Sequence, residues 1–138
     1  MSISPGCTGK QLRFYIPLLT NTTKRHYNIK VKLPGIDWDE DKDVKNRAKH
    51  SGLSFEVAQY VFLDPQRIER RDESEGNTSG EERRQTLGKV GPIFFVVYEE
   101  IGEDGKRIIS ARTAEKHERR SYEGYYRVDG KGWEKSPP

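Results

Sequence analysis

Pro92-Ile93-Phe94-Phe95-Val96-Val97-Tyr98-Glu99-Glu100 is followed by the turn Glu103-Asp104-Gly105 and then by Lys106-Arg107-Ile108-Ile109-Ser110-Ala111-Arg112. The first run is apolar at consecutive positions, so an extended chain there buries both of its sides, which predicts a central strand over 92–100. An Asp-Gly pair joins antiparallel strands tightly because glycine accepts the left-handed backbone that such turns need. Residues 106–112 are therefore read as the antiparallel neighbour. Residues 82–88 supply a strand on the other side, and 66–71 are a further candidate. Between them, 72–81 carries Asp, Glu, Ser, Gly, Asn and Thr with almost no apolar residue, and is read as a surface loop.

Upstream of the strands the pattern is helical. Residues 39–50 are polar, with Val44 and Ala48 at i, i+4 as the apolar face, and Ser51-Gly52 is a stop because glycine tolerates the conformation after a helix end. Ser54 caps a second helix over 55–63 whose apolar stripe is Val57, Ala58, Val61 and Phe62, and Asp64-Pro65 ends it. Downstream, Thr113 caps a last helix over 114–125, with Glu115 in its first turn where the dipole favours an acid. The reading is an α+β fold: an N-terminal helical hairpin, a meander of antiparallel strands and a C-terminal helix. The helices lie on one face, and the other face is left open to a partner.

The 138 residues have room for one compact domain, read as 31–125 with a flexible tail over 126–138. Residues 1–30 form an N-terminal extension. Leu12, Phe14, Ile16 and Leu18 alternate with other residues, as do Tyr27, Ile29, Val31 and Leu33, which suits a docked hairpin. Non-native padding from an upstream start suits this segment equally. Only 32% of residues are hydrophobic against 34% charged, so the core must be thin, while the apolar runs at 57–62 and 93–98 argue against disorder. Cys7 is the single cysteine, which excludes an internal disulfide and a thiolate metal cage. With no long apolar window and no signal-peptide layout, the cytoplasm is the expected location.

Charge is unevenly placed. The net charge is +3, yet Asp37, Asp39, Glu40, Asp41 and Asp43 face a single base, Lys42. From 106 to 127 the bases Lys106, Arg107, Arg112, Lys116, Arg119, Arg120 and Arg127 outnumber Glu115, Glu118 and Glu123. Such a stretch attracts phosphate or an acidic partner; its bland counterpart is a solvated helix face. Alternation places Lys106, Ile108, Ser110 and Arg112 on one side of the strand and Arg107, Ile109 and Ala111 on the other. Arg112 then stands beside a helix bearing Lys116, His117, Arg119 and Arg120, with Glu82 and Arg83 opening an earlier strand. Cleaving RNA without a metal needs a base for the 2′-hydroxyl, positive charge around the phosphorane, and a proton for the leaving 5′-oxygen. Acid and base fall among His50, His117, Glu82 and Glu118, with Arg83, Arg107 and Arg112 as phosphate clamps. Each also has an ordinary reading: the arginines as ion-pair members, Glu81 and Glu82 as partners of Arg83 and Arg84, and His50 as a cation at a helix C-terminus.

A metal site is not expected. His26, His50 and His117 lie far apart in sequence, and the acids at 37–43 lack the glycine and terminal Glu of a calcium loop. There is no phosphate-cradling glycine loop, nucleophile elbow or dinucleotide fingerprint.

Taken in order, the motifs resemble the BrnT family. Ile36-Asp37-Trp38-Asp39, Lys42, Asn46, Lys49-His50, Gly52-Leu53-Ser54-Phe55-Glu56, Ala58, Val61-Phe62 and Asp64-Pro65 resemble its opening. Gly80-Glu81-Glu82-Arg83, Leu87-Gly88, Val96-Val97-Tyr98, the 107–112 strand, Glu118-Arg119-Arg120 and Tyr122-Glu123 resemble the rest. The sequence departs from the pattern at Ser51, which intrudes between His50 and Gly52, and in both extended ends. The resemblance implies a RelE-like fold with a curved antiparallel sheet of 3–5 strands, and a metal-independent, cofactor-free ribonuclease toxin of a type II toxin–antitoxin module. It implies an RNA substrate and a BrnA-like ribbon-helix-helix antitoxin, the two proteins forming a hetero-oligomer. The implied catalytic candidates are His50, Glu82, Arg83, Arg107 and Arg112, and the RNA contacts are Lys49, Lys106, Lys116, His117, Arg119 and Arg120. The competing reading is a degenerate toxin that only binds nucleic acid or its antitoxin.

Overall fold

A computed structural model describes residues 30–73, 82–128 and 130–137. The chain divides into two compact units, Met1–Val31 and Lys32–Pro138, and the second is described here. The hairpin expected over 1–30 and most of the loop expected over 72–81 lie outside the described residues.

The second unit is built on six strands: β1 (Ile36–Trp38), β2 (Ile68–Arg71), β3 (Arg83–Lys89), β4 (Ile93–Ile101), β5 (Gly105–Thr113) and β6 (Glu134–Lys135). Their order is β1-β5-β4-β3-β2-β6. β4 is central, as its two-sided apolarity requires, and pairs antiparallel with β3 and β5. The sheet is larger than the expected 3–5 strands and is mixed, because β1 pairs parallel with β5. Three residues are too few to show a period of two, so the sequence hid this strand among helix-start acids. Around the sheet lie helix α1 (Glu40–Lys49), the single turn α2 (Phe55–Ala58) tightening into a 3-10 segment (Gln59–Leu63), helix α3 (Lys116–Tyr122) and a 3-10 turn (Tyr125–Arg127). Ser54 caps α2, its Oγ accepting the Val57 amide at 3.1 Å. The last helix starts later than expected: Thr113 completes β5, and Glu115 is the N-cap.

Both faces of the sheet are covered, against the expectation of one open face. On one, Phe94, Val96, Ile108 and Ala111 pack with Trp38, Phe55, Ala58 and Val61. On the other, Ile68, Leu87, Ile93 and Phe95 pack with Trp133, and Tyr122 and Tyr126 lie against them. The tail expected to fray over 126–138 thus places Trp133 at 5% exposure in the core. A β-bulge explains how Ile108 and Ala111 share a face although three residues apart: Tyr98 pairs with Ile108 and Val97 with Ser110, leaving Ile109 as the extra residue. Ser110 and Arg112 accordingly lie on the side of Phe95 and Val97, together with Arg107.

The buried side of α1 also differs from the reading. Val44 is 55% exposed, whereas Asp43 and Asn46 are buried. The helix does not lie on an apolar surface there. It lies against unpaired backbone groups, and polar side chains satisfy them. Asp43 accepts the Phe55 amide at 2.8 Å, fixing the start of α2 to α1. Asp64 accepts the Lys89 amide at 2.8 Å and the Tyr122 hydroxyl at 2.6 Å, tying α3 to the end of β3. No helix among the described residues is long and apolar enough to cross a membrane.

The helix-covered face is closed by Gly88, where a Cβ would meet the Val61 Cβ at 2.6 Å. Gly88→Ala is therefore expected to lower unfolding stability by roughly 1–3 kcal/mol, the usual effect of overpacking. Urea denaturation checks this, and an unchanged midpoint would show that the 3-10 segment is not clamped against β3.

Candidate functional site

β1 pairs with β5 at residues 106–108, and among the described residues no strand lies beside the outer edge of β5 beyond Ile108. Asn46 takes that place. Its Nδ2 donates to the Ala111 carbonyl at 2.8 Å and its Oδ1 accepts the Ala111 amide at 3.1 Å, as a neighbouring peptide group would. A further bond from Nδ2 to the Leu53 carbonyl, at 3.2 Å, holds the loop after α1.

With Asn46 fixed, helical spacing sets Lys42, Lys45 and Lys49 along the same side of α1. These residues, Asn46, His50, Ile109 and Ser110 line a cleft of about 190 Å³, with no carboxylate among the described residues of its lining. His50 closes the helix, its amide bonded to the Asn46 carbonyl at 2.8 Å. Burial, then the charges of Lys49 and Arg112, hold its pKa below the ordinary value of 6.5. At neutral pH the imidazole is therefore mostly uncharged and keeps one nitrogen as an acceptor. Ser51 follows in the left-handed region at φ 57°, so the intruding residue is absorbed by the turn and α1 keeps its end at His50.

Arg112 is anchored more firmly than any other arginine of the set. Its guanidinium lies 4.2 Å from the Phe95 ring centre and makes two bonds of 2.8 Å to Glu118. The same carboxylate accepts the Glu115 amide at 2.8 Å at the start of α3. Burial works against ionisation of Glu118, but the bonds from Arg112 and Glu115 outweigh it and the pKa lies below normal. One ion pair thus joins the end of β5 to α3 and holds a cation near His50.

The remaining sequence candidates lie elsewhere. Arg83 pairs with Glu99 at 3.5 Å and Arg107 with Asp37 at 3.5 Å, and both arginines stand opposite Glu99 in the register. This makes a row of alternating charge across β3, β4, β5 and β1, roughly 15 Å along β5 from Arg112. Glu82 pairs with Arg71 at 3.4 Å and Arg84 at 3.6 Å. Lys106 sits on the helix-covered face, 5.6 Å from the Phe62 ring centre. Lys116, His117, Arg119 and Arg120 are exposed on α3; Arg119 donates to the Ala114 carbonyl at 2.9 Å, and Arg120 stacks on Tyr125 at 4.4 Å. The structure therefore gathers Lys49, His50 and Arg112, and leaves Glu82, Arg83 and Arg107 apart from them. Sequence reasoning passed over Lys42 and Lys45 as site residues, although their helical spacing from Lys49 was visible. Ser110 was placed on the wrong side by the bulge.

Among the described residues, Glu115, His117 and Glu118 bring ligand atoms within 4.8 Å of one another. Glu118 is committed to Arg112 and the Glu115 amide, so a cation there would have to displace Arg112.

Residues 38–118 match the model of the family described as "Ribonuclease toxin, BrnT, of type II toxin-antitoxin system". The chain belongs to the BrnT family. The matched span holds α1, the Asn46 contact, the cleft and the Arg112–Glu118 pair. Membership gives RNA as the substrate class and an antitoxin as the partner. Among solved structures, the BrnT ribonuclease toxin of Brucella abortus is similar at 26% identity, covering 59% of this chain and 96% of that one with a TM-score of 0.43. No curated protein matches.

Glu118 is the member of this BrnT site whose loss the structure makes most legible. Glu118→Gln is expected to destabilise by about 2–3 kcal/mol, at the lower end for a broken buried pair because Arg112 keeps some contact with water. The carboxylate's folded pKa is depressed, so its contribution is full above about pH 4.5, the unfolded value, and is lost as pH falls through the folded one. Stability measured against pH must therefore lose part of its acid dependence in the variant. A parallel, uniformly lowered curve would count against the pair.

Proposed function

We propose that this chain is a metal-independent endoribonuclease, RelE-like in its acid–base mode. It cleaves RNA in the cleft between α1 and β5 and so stops translation in the cytoplasm. One observation carries the reading: a histidine kept uncharged stands among cations in a cleft without a carboxylate. In this reading His50 takes the 2′-hydroxyl proton, the 2′-oxygen attacks phosphorus, and the bond to the 5′-oxygen breaks, leaving a cyclic phosphate and a 5′-hydroxyl. Lys49 and Arg112 neutralise charge as the phosphorane forms, and Lys42 and Lys45 meet the flanking phosphates. The protonated His50 or a nearby lysine returns a proton to the leaving oxygen. Arg107, Lys106 and the basic residues of α3 steer the polyanion, while Glu82 and Arg83 maintain the far edge of the sheet through their ion pairs. Support for metal independence comes from the donors: the carboxylate best placed for a cation, Glu118, is held by Arg112. A BrnA-like ribbon-helix-helix antitoxin, in a hetero-oligomer with this chain, neutralises it by covering the basic cleft.

The pairing of Arg83, Arg107 and Arg112 with acids favours a second reading, a degenerate toxin that binds without turnover. Induced expression separates the two. The ribonuclease reading expects growth arrest and RNA loss with the wild type, abolished in His50→Ala and reversed by the antitoxin. RNA left intact, together with tight and strongly salt-dependent binding, would establish the binding module. The pH profile gives a second test. The acid limb of cleavage should have its midpoint below pH 6.5, and Lys49→Gln should move it upward, because removing a positive neighbour favours the imidazolium. A midpoint unmoved by Lys49→Gln would remove His50 as the base.

A further inference from the structure

A second cavity shares the chemistry of the cleft. It is about 190 Å³ and is lined, among the described residues, by His117, Arg120, Ser121, Tyr125 and Lys131, with the Glu115 carboxylate 3.7 Å from His117 Nδ1 at its margin. Helical spacing at i, i+3 and i+4 turns His117, Arg120 and Ser121 to one side of α3. Arg120 stacks on Tyr125 at 4.4 Å, and Tyr125 as a residue is 51% exposed. Across the cavity the backbone of Lys131 is held: its carbonyl accepts from Arg70 at 2.9 Å, and Arg70 lies 4.2 Å from the Trp133 ring centre. The larger groove nearby, about 720 Å³, shares Lys131 with this cavity but is more mixed in charge, because Glu69, Asp72, Glu73 and Glu134 line it alongside Arg70, Arg71 and Arg84. A polyanion gains nothing from a lining that carries its own counter-charges.

We infer that the cavity at Tyr125 is a second RNA subsite that holds a nucleotide flanking the scissile phosphate, its base against the Tyr125 ring and its phosphate between Arg120 and Lys131. An aromatic face beside cations is the combination that binds single-stranded nucleic acid without regard to sequence. Arg112 relates to both, acting on the cleft by its charge and bonding the helix that carries the cavity. Its charge acts on His50, and its guanidinium is held by Glu118, the residue next to His117. A strand entering the cleft thus continues along α3 toward Tyr125. This rests on the ribonuclease reading of the cleft and adds a direction and a minimum length to its substrate. An acidic segment of protein would use the cations but has no base to stack on the ring.

The test uses the full chain and two single-stranded RNAs, a dodecamer and a tetramer, each with 2′-O-methyl groups so that binding is read without cleavage. Wild type should prefer the dodecamer, and Tyr125→Ala should lose at least about fivefold of that preference, the loss of one base–aromatic stack. Tyr125→Phe, which keeps the ring, should retain it. Arg120→Gln should lower the slope of log affinity against log salt by about 0.7, one phosphate contact on a single strand. An unchanged length preference in Tyr125→Ala overturns the subsite, as does a loss that Tyr125→Phe shares. Weakened binding of the antitoxin with RNA binding intact also overturns it and assigns the cavity to a protein partner. If unmodified RNA stays uncleaved while the length preference holds, the ribonuclease reading fails and the subsite stands.

Discussion

The position of α1 depends on one side-chain amide acting as a strand. Among the described residues, β1 is the strand that covers the outer edge of β5, over three residues, and an uncovered edge is both an unsatisfied surface and a template for unwanted pairing. Asn46 closes that edge at Ala111 with a donor and an acceptor at peptide spacing. A helix held in this way cannot slide, since a shift of one residue would break both bonds. The lysines that share its side and the histidine one turn later are therefore placed over β5 by a structural hydrogen bond. The site inherits its geometry from the way the sheet ends.

The cations of the protein then fall into two groups with different physical roles. Arg83, Arg107 and Arg112 belong to strands and each is paired, the first two with cross-strand acids and Arg112 with Glu118 of α3. Lys42, Lys45 and Lys49 belong to one side of a helix whose acids, Glu40, Asp41 and Asp43, all lie in its first turn, so the described lining of the cleft between α1 and β5 carries no counter-charge. Arg112 connects the groups. Its charge is balanced by Glu118, yet its field still reaches His50, which is why it acts as a fixed element of the site rather than as a mobile clamp.

Much of this could be read from the sequence where local chemistry was decisive. The two-sided apolar run made β4 central, Asp104-Gly105 made the turn, and Ser54 made the cap. Lys49, His50 and Arg112 were also visible as candidates. What escaped depended on long-range pairing. Ile36-Asp37-Trp38 is too short to show a strand period, and its partner lies far along the chain. The bulge opposite Val97 and Tyr98 reversed the facing of Ser110 and Arg112, which no alternation rule can anticipate. Val44 and Ala48 suggested an apolar contact for α1, but the surface beneath it offers backbone polar groups, so Asp43 and Asn46 turned inward instead. Trp133 looked like part of a loose tail because a single aromatic carries no periodic signal.

The cleft also embodies a trade between base strength and phosphate affinity. Cations that attract an anionic backbone lower the pKa of a neighbouring imidazole, and each unit of lowering removes about 1.4 kcal/mol of proton affinity. A base weakened too far abstracts a proton slowly, whereas one left at its ordinary value is partly protonated at neutral pH and partly idle. Burial is the largest single cause of the lowering at His50, ahead of Lys49 and Arg112. In the ribonuclease reading proposed above, the phosphates of bound RNA offset the lysine and arginine charges and return part of the lost basicity at the moment it is used. On that reading the lining matters, because no carboxylate among the described residues of the cleft competes with the phosphates for the cations.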